Sequence, residues 1–210
     1  TAGAVRTYRE DLQDRLGART GRTQPRRLVI SCEHLSSRLP RREDIERLHA
    51  FLDPFAVELR IRVYLRRQDQ FQLSLYSTAV CSGRCVTFHW PEPGRERTEL
   101  RYDRLLAKWA RVFGDGAVNV RLFEKHRLAG GDIVSDFCAA LDLPGDLQRP
   151  QEVVNASLNL RQLECLRALN ERIPRFTGDE PNPLRGDLAR AVASLPLDGA
   201  PLIADARASD

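Results

Sequence analysis

Apolar and polar positions follow two rhythms along this chain. Ile45, Leu48, Leu52 and Phe55 recur at helical spacing, which predicts a helix from about Arg42 to Phe55. Tyr102, Leu105, Leu106, Trp109, Val112 and Phe113 repeat that pattern, and Gly114-Asp115-Gly116 stops the second helix. Gly131-Asp132 opens another, with Ile133, Val134, Phe137, Ala140 and Leu141 on its stripe. Further helices are expected at Val5–Leu16, Leu158–Ile173 and, shorter, near Asp187–Ala193. Three short β-branched runs read as strands: Arg27–Cys32, which should be buried, Leu59–Leu65 and Ala117–Phe123. Between Asp69 and Val80 the two rhythms compete. Phe71, Leu73 and Leu75 alternate, while Phe71, Ser74, Leu75 and Thr78 form a helical stripe with Asp69 near its N-cap. A hairpin would need Gly or Asn at 66–69, and neither is present, so a helix is expected.

Strands separated by helices require crossover connections, which implies parallel pairing in an α/β sheet flanked by helices. One domain over residues 1–210 is expected, with an N-terminal helix and connector over 1–26 and a Pro-rich tail over 174–210. The segment Cys81–Leu100, with Gly83, Pro91, Pro93 and Gly94 among charges, is a long connection of the kind that shapes a ligand pocket.

Composition narrows the classes. With 42% apolar residues and no run long enough to span a bilayer, a soluble cytoplasmic protein without membrane contact is expected. The net charge of +4 is the small difference between 33 basic and 29 acidic residues. The pairs Arg26-Arg27, Arg41-Arg42 and Arg66-Arg67 are not interleaved with aromatics, which argues against a single-stranded nucleic-acid track. Five scattered cysteines fit reduced thiols. Cys81, Cys85 and His89 have a metal-like rhythm without a clear fourth ligand, and no metal is expected.

In open α/β sheets ligands sit beyond the carboxyl ends of the strands. Those ends are Ser31-Cys32-Glu33-His34, Arg66-Arg67 and Glu124-Lys125-His126, all polar and ionisable. Arg66 offers a planar fork of donors, the following helix offers free backbone N–H groups, and Ser74 adds a hydroxyl two turns on. Such a set suits a phosphate dianion. Surface charges and a small helix-packing serine would leave the same pattern.

The stretch Val63-Tyr-Leu-Arg66-Arg-Gln-Asp-Gln-Phe-Gln-Leu-Ser74-Leu-Tyr76 resembles the 3′-phosphate-binding segment of sulfotransferases that use 3′-phosphoadenosine 5′-phosphosulfate. Four more blocks look like successive parts of bacterial sulfotransferase-like proteins: Val29-Ile-Ser-Cys-Glu-His-Leu-Ser36, Tyr102-Asp-Arg-Leu-Leu-Ala-Lys-Trp109, Val118-Asn-Val-Arg-Leu-Phe-Glu124 and Gly131-Asp-Ile-Val-Ser-Asp-Phe137. The resemblance covers roughly residues 27–173. It implies a P-loop-NTPase-like sulfotransferase fold and 3′-phosphoadenosine 5′-phosphosulfate as co-substrate. It assigns Arg66 and Ser74 to the 3′-phosphate, with Arg67 and Gln68 assisting. Glu33 or His34 then falls where the family places its catalytic base, Glu33 being the closer match. The acceptor would be a hydroxyl or amine of a small-molecule or carbohydrate-type substrate.

The family's 5′-phosphosulfate loop has no counterpart before Arg27. Gly17–Thr23 follows a helix, leads into a predicted strand and has no Lys, so it reads as a flexible connector. The resemblance therefore implies a fold missing its first strand, and an active sulfotransferase only if sequence upstream of Thr1 supplies the donor loop. A sheet so truncated has an open edge, for which a homo-oligomer or the N-terminus would provide cover. Two other classes fit the same residues: a non-catalytic nucleotide-binding or interaction module of this fold, and a basic adaptor for nucleic acid or an acidic partner.

Overall fold

The computed structural model describes residues 2–92, 94, 98–143 and 158–198. Within these, the chain is α/β and mostly helical, with a small parallel pair of strands flanked by helices. It forms two compact units, Thr1–Leu65 with Arg97–Arg121, and Arg66–Glu96 with Leu122–Asp210.

The first unit holds α1 (Ala2–Thr23), α2 (Leu35–Arg38), α3 (Arg42–Leu52), β1 (Ile61–Leu65), α5 (Tyr102–Phe113) and all but the last residue of β2 (Val118–Leu122). Its core is Ile45, Leu65, Leu100 and Trp109, all buried. The predicted stripes of α3 and α5 face one another: the His49 and Phe113 rings lie 4.9 Å apart, and Trp109 stacks on Phe113 at 5.7 Å. Gly114 ends α5 at φ +89°, ψ 148°, a conformation that a Cβ would disfavour. The Asp44 carboxylate accepts from the Arg41 N–H and guanidinium and from Arg47 at the start of α3. These partners, the Arg41 guanidinium first, hold Asp44 down to about 2. Lys108 of α5 donates to the carbonyls of Leu39 (2.8 Å) and Pro40 (3.2 Å), tying that helix to the chain entering α3, and its burial lowers its pKa.

Two expectations fail here. Gly17–Thr23 is helical rather than a flexible connector: the Thr20 and Thr23 hydroxyls donate to carbonyls four residues back, both at 2.8 Å, and Gly17 faces the Phe55 ring. The helix runs on through Gly17 and Gly21 despite their low helix propensity. Arg27–Cys32 is not a buried strand. Leu28, Val29 and Ile30 are 44%, 45% and 53% exposed, and the described sheet containing β1 has only β2 as its other strand. A β-branched run becomes a strand only where a neighbouring backbone pairs with it.

The second unit is built on α4 (Gln68–Cys81), α6 (Ile133–Ala140), α7 (Leu160–Arg172) and α8 (Leu184–Ser194), with a two-residue antiparallel pair, β3 (Phe176–Thr177) and β4 (Glu180–Pro181). Tyr76, Val80, Leu158, Leu163, Leu166 and Val192 form its core, where α4, α7 and α8 meet. Three polar side chains fasten these helices at their ends. Gln162 donates to the carbonyls of Ala193 and Leu195 while its own carbonyl oxygen accepts the Asn159 N–H in a capping box. Asn170 donates to the carbonyls of Val80 (2.9 Å) and Arg84 (3.0 Å). Arg185 donates to the Ile173 carbonyl and covers Gly83.

The competition between rhythms at 69–80 is resolved as helix, and the helices expected near residues 102, 133, 158 and 187 are all present. Residues 93 and 95–97 of the Cys81–Leu100 connection, and residues 199–210 of the Pro-rich tail, lie outside the described residues. No described helix is long and apolar enough to cross a membrane.

Candidate functional site

β1 and β2 run parallel, so their carboxyl ends share one edge of the pair. Chain continuity puts Arg66 and Arg67 directly after β1, and Phe123, Glu124, Lys125 and His126 directly after β2. The two ends are joined by a cation–π contact, the Arg66 guanidinium lying 4.7 Å from the centroid of the Phe123 ring. Stacking of this kind fixes the plane of the guanidinium.

Arg67 is the N-cap of α4 and has an extended-type backbone, its carbonyl accepting the Phe71 N–H at 2.9 Å. The N–H groups of Gln68, Asp69 and Gln70 precede that first helical bond and point out of the helix start. Together with the helix dipole they favour a negative group there. The Arg67 guanidinium is engaged with Asp69 through bonds of 3.2 and 2.8 Å, so its charge is largely balanced. Gln68 is exposed, and Ser74 is half-buried two turns into the helix. Thus Arg66, Arg67, Gln68 and Ser74 all belong to one strand–turn–helix passage, as expected.

Glu33 and His34 belong to the first unit. They form the turn that enters α2, with side chains 3.7 Å apart and 87% and 54% exposed. The His34 carbonyl accepts the N–H groups of Ser37 (3.2 Å) and Arg38 (2.8 Å). Because no strand precedes them, these two residues do not stand at a strand end, contrary to the expectation for that segment.

The turn after β2 is strongly determined. Glu124 accepts from Arg127 at 2.9 Å and lies 3.4 Å from His126. Asp136 of α6, fully buried, accepts the Ala129 N–H at 2.9 Å, and Asp132 caps α6 by accepting from Val134 and Ser135. The spacing of Asp132 before an apolar stripe signals that cap in the sequence. Nothing in the sequence signals that Asp136 is buried or that Phe123 lies under Arg66.

On α4, Tyr76 points to the opposite side from Ser74 and donates to Glu164 of α7 at 2.9 Å. Burial first, and then this bond, push its phenol up to about 12. The folded value lies above the unfolded one of about 10, so the associated stability is fully present below about pH 10 and is lost as pH rises through the folded value. In an absorbance titration one of the four tyrosines should ionise late, near 12, and Glu164→Gln should bring it part of the way back. Simultaneous ionisation of all four would contradict the contact.

A shallow concavity of about 260 Å³ in the first unit is lined by His49, Asp53, Glu58 and Phe113 among others. It includes none of the candidate site residues Glu33, His34, Arg66, Arg67, Gln68 and Ser74, and Glu58 is already held by Arg60 at 2.6 Å. Among the described residues no three His, Cys, Asp or Glu side chains group as metal ligands, Cys81, Cys85 and His89 included. No protein-family model, curated protein or solved structure matches the chain.

Proposed function

We propose that this protein is a sulfotransferase of the P-loop-NTPase-like fold, moving a sulfuryl group from 3′-phosphoadenosine 5′-phosphosulfate to a hydroxyl or amine acceptor. The observation that carries this reading is the β1–α4 passage. Arg66 directly follows the strand with its guanidinium oriented by Phe123, the leading amides of α4 come next, and Ser74 stands two turns inside the same helix. Arg66 and Ser74 hold the 3′-phosphate, and the Gln68 amide and side chain assist from the helix start. Arg67, already paired with Asp69, contributes by keeping that turn in place.

In the reaction the acceptor oxygen or nitrogen bonds to sulfur while the bond from sulfur to the bridging phosphate oxygen breaks, releasing adenosine 3′,5′-bisphosphate. The acceptor proton passes to Glu33 or His34. As in phosphoryl transfer, alignment and stabilisation of spreading negative charge do most of the work. Exposure of both Glu33 and His34 favours one further reading, a module that binds the nucleotide without turning it over.

Calorimetric titration with adenosine 3′,5′-bisphosphate tests the nucleotide site. Binding should weaken about thirty- to hundredfold in Arg66→Ala, the loss expected for a charge-assisted bidentate contact. Absence of binding by the unaltered protein, or equal binding by Arg66→Ala, would overturn the proposal. Salt-steep binding to arbitrary DNA would instead mark a nucleic-acid adaptor. Turnover of the donor, abolished in Glu33→Gln or His34→Ala, separates the enzyme from the silent module.

A further inference from the structure

We infer that Lys125 is a second anion-binding side chain at this strand edge, taking the 5′-linked phosphate of the nucleotide whose 3′-phosphate Arg66 and Ser74 hold. This role rests on the nucleotide reading above and adds a residue and a specificity to it.

Lys125 is two residues beyond Phe123, within roughly 7 Å of chain, and the Phe123 ring carries the Arg66 guanidinium. It opens the 3₁₀ turn Lys125–Arg127, which the Arg127 N–H closes on the Glu124 carbonyl at 2.8 Å. The chain then doubles back through Ala129–Gly131, where Gly130 and Gly131 have φ of +66° and +72°. That return lays Gly131 alongside the Lys125 carbonyl, the nearest atom a Cβ there would meet, at 3.9 Å. Buried Asp136 fixes the return by accepting the Ala129 N–H. The turn that carries Lys125 is therefore closed by its own hydrogen bond and backed by the returning chain, although the Lys125 side chain is exposed.

The charges around it are already matched. Glu124 has Arg127 at 2.9 Å and His126 at 3.4 Å, and Arg67 has Asp69 at 2.8 Å. Lys125 has no ion pair or hydrogen bond among the described residues. An ordinary surface lysine is solvated and arbitrary in place. This one carries a positive charge that is unmatched among the described residues, on a turn two residues past the ring that carries Arg66, and its four-carbon stem can follow a second phosphate on the same ribose. Two cations flanking one nucleotide discriminate a bisphosphate from a monophosphate.

The test is a comparison of two ligands. Adenosine 3′,5′-bisphosphate and adenosine 3′-monophosphate are titrated into the full chain and into Lys125→Ala, Lys125→Arg and Arg161→Ala. Arg161→Ala removes the same unit charge from α7. Lys125→Ala should weaken the bisphosphate about tenfold and leave the monophosphate unchanged, with Lys125→Arg and Arg161→Ala close to the unaltered protein. Equal weakening of both ligands, no weakening of either, or the same loss in Arg161→Ala would overturn the role of Lys125 while leaving the Arg66 site standing. Failure of the unaltered protein to bind either nucleotide would overturn both together.

Discussion

Leu166→Ala should lower the unfolding free energy of the second unit by about 3 kcal/mol, within the range for emptying a fully buried leucine site. Leu166 has no exposed surface and belongs to the cluster in which α7 meets Val80 and Tyr76 of α4 and Val192 of α8. Its loss removes both transfer energy and contacts on three helices, and the neighbouring Leu163, also fully buried, leaves little room for collapse. Urea denaturation followed by far-ultraviolet circular dichroism gives the value, read from the midpoint at constant slope. The effect should reach the proposed nucleotide site without touching it, because α4 carries Ser74 on one side and docks through Tyr76 and Val80 on the other. A change below about 1 kcal/mol would mean that this cluster is not the core of the unit.

Asn170→Asp should be more damaging still, by about 3–5 kcal/mol at neutral pH, the penalty for an uncompensated buried charge. Asn170 is 5% exposed, and its amide group donates to two carbonyls, those of Val80 and Arg84, just where α4 ends and the chain turns through Gly83. A carboxylate has no proton to offer and would face both carbonyl oxygens. Desolvation and this repulsion raise the pKa of the introduced carboxyl group in the folded state above its unfolded value. The protonated form is then the tolerated one: stability is regained below the unfolded value of about 3.9 and is lost as pH rises through the higher folded value. Asn170→Ala, which only leaves the carbonyls unpaired, should cost about 1–3 kcal/mol and show no such pH dependence. Thermal melts of the three proteins between pH 4 and 8 would check the order; equal and pH-independent losses for both variants would refute the two-carbonyl contact.

These two residues also mark the boundary of what the chain reveals before it folds. The stripes of α3, α5 and α6, the stop at Gly114 and the cap at Asp132 are local properties, and all are visible as spacing. The α4 segment was readable as helix because residues 66–69 lack hairpin chemistry, although Phe71, Leu73 and Leu75 alternate as a strand would. Arg27–Cys32 failed for the opposite reason. Its apolar β-branched composition is that of a strand, but β1 pairs with β2, and Leu28, Val29 and Ile30 stay in solvent. Strand formation needs a partner backbone, and no local pattern supplies one.

The candidate site divides in the same way. That Arg66 follows a strand, that a helix begins at once and that Ser74 rides two turns inside it can be read along the chain, because each depends only on neighbours a few positions away. Long-range folding was needed to bring Phe123 beneath Arg66 and to bury Asp136 under the turn that carries Lys125. The Arg66–Phe123 contact joins residues 57 positions apart in the chain. The Asp136 and Asn170 contacts depend on burial, which a polar letter in a sequence does not disclose.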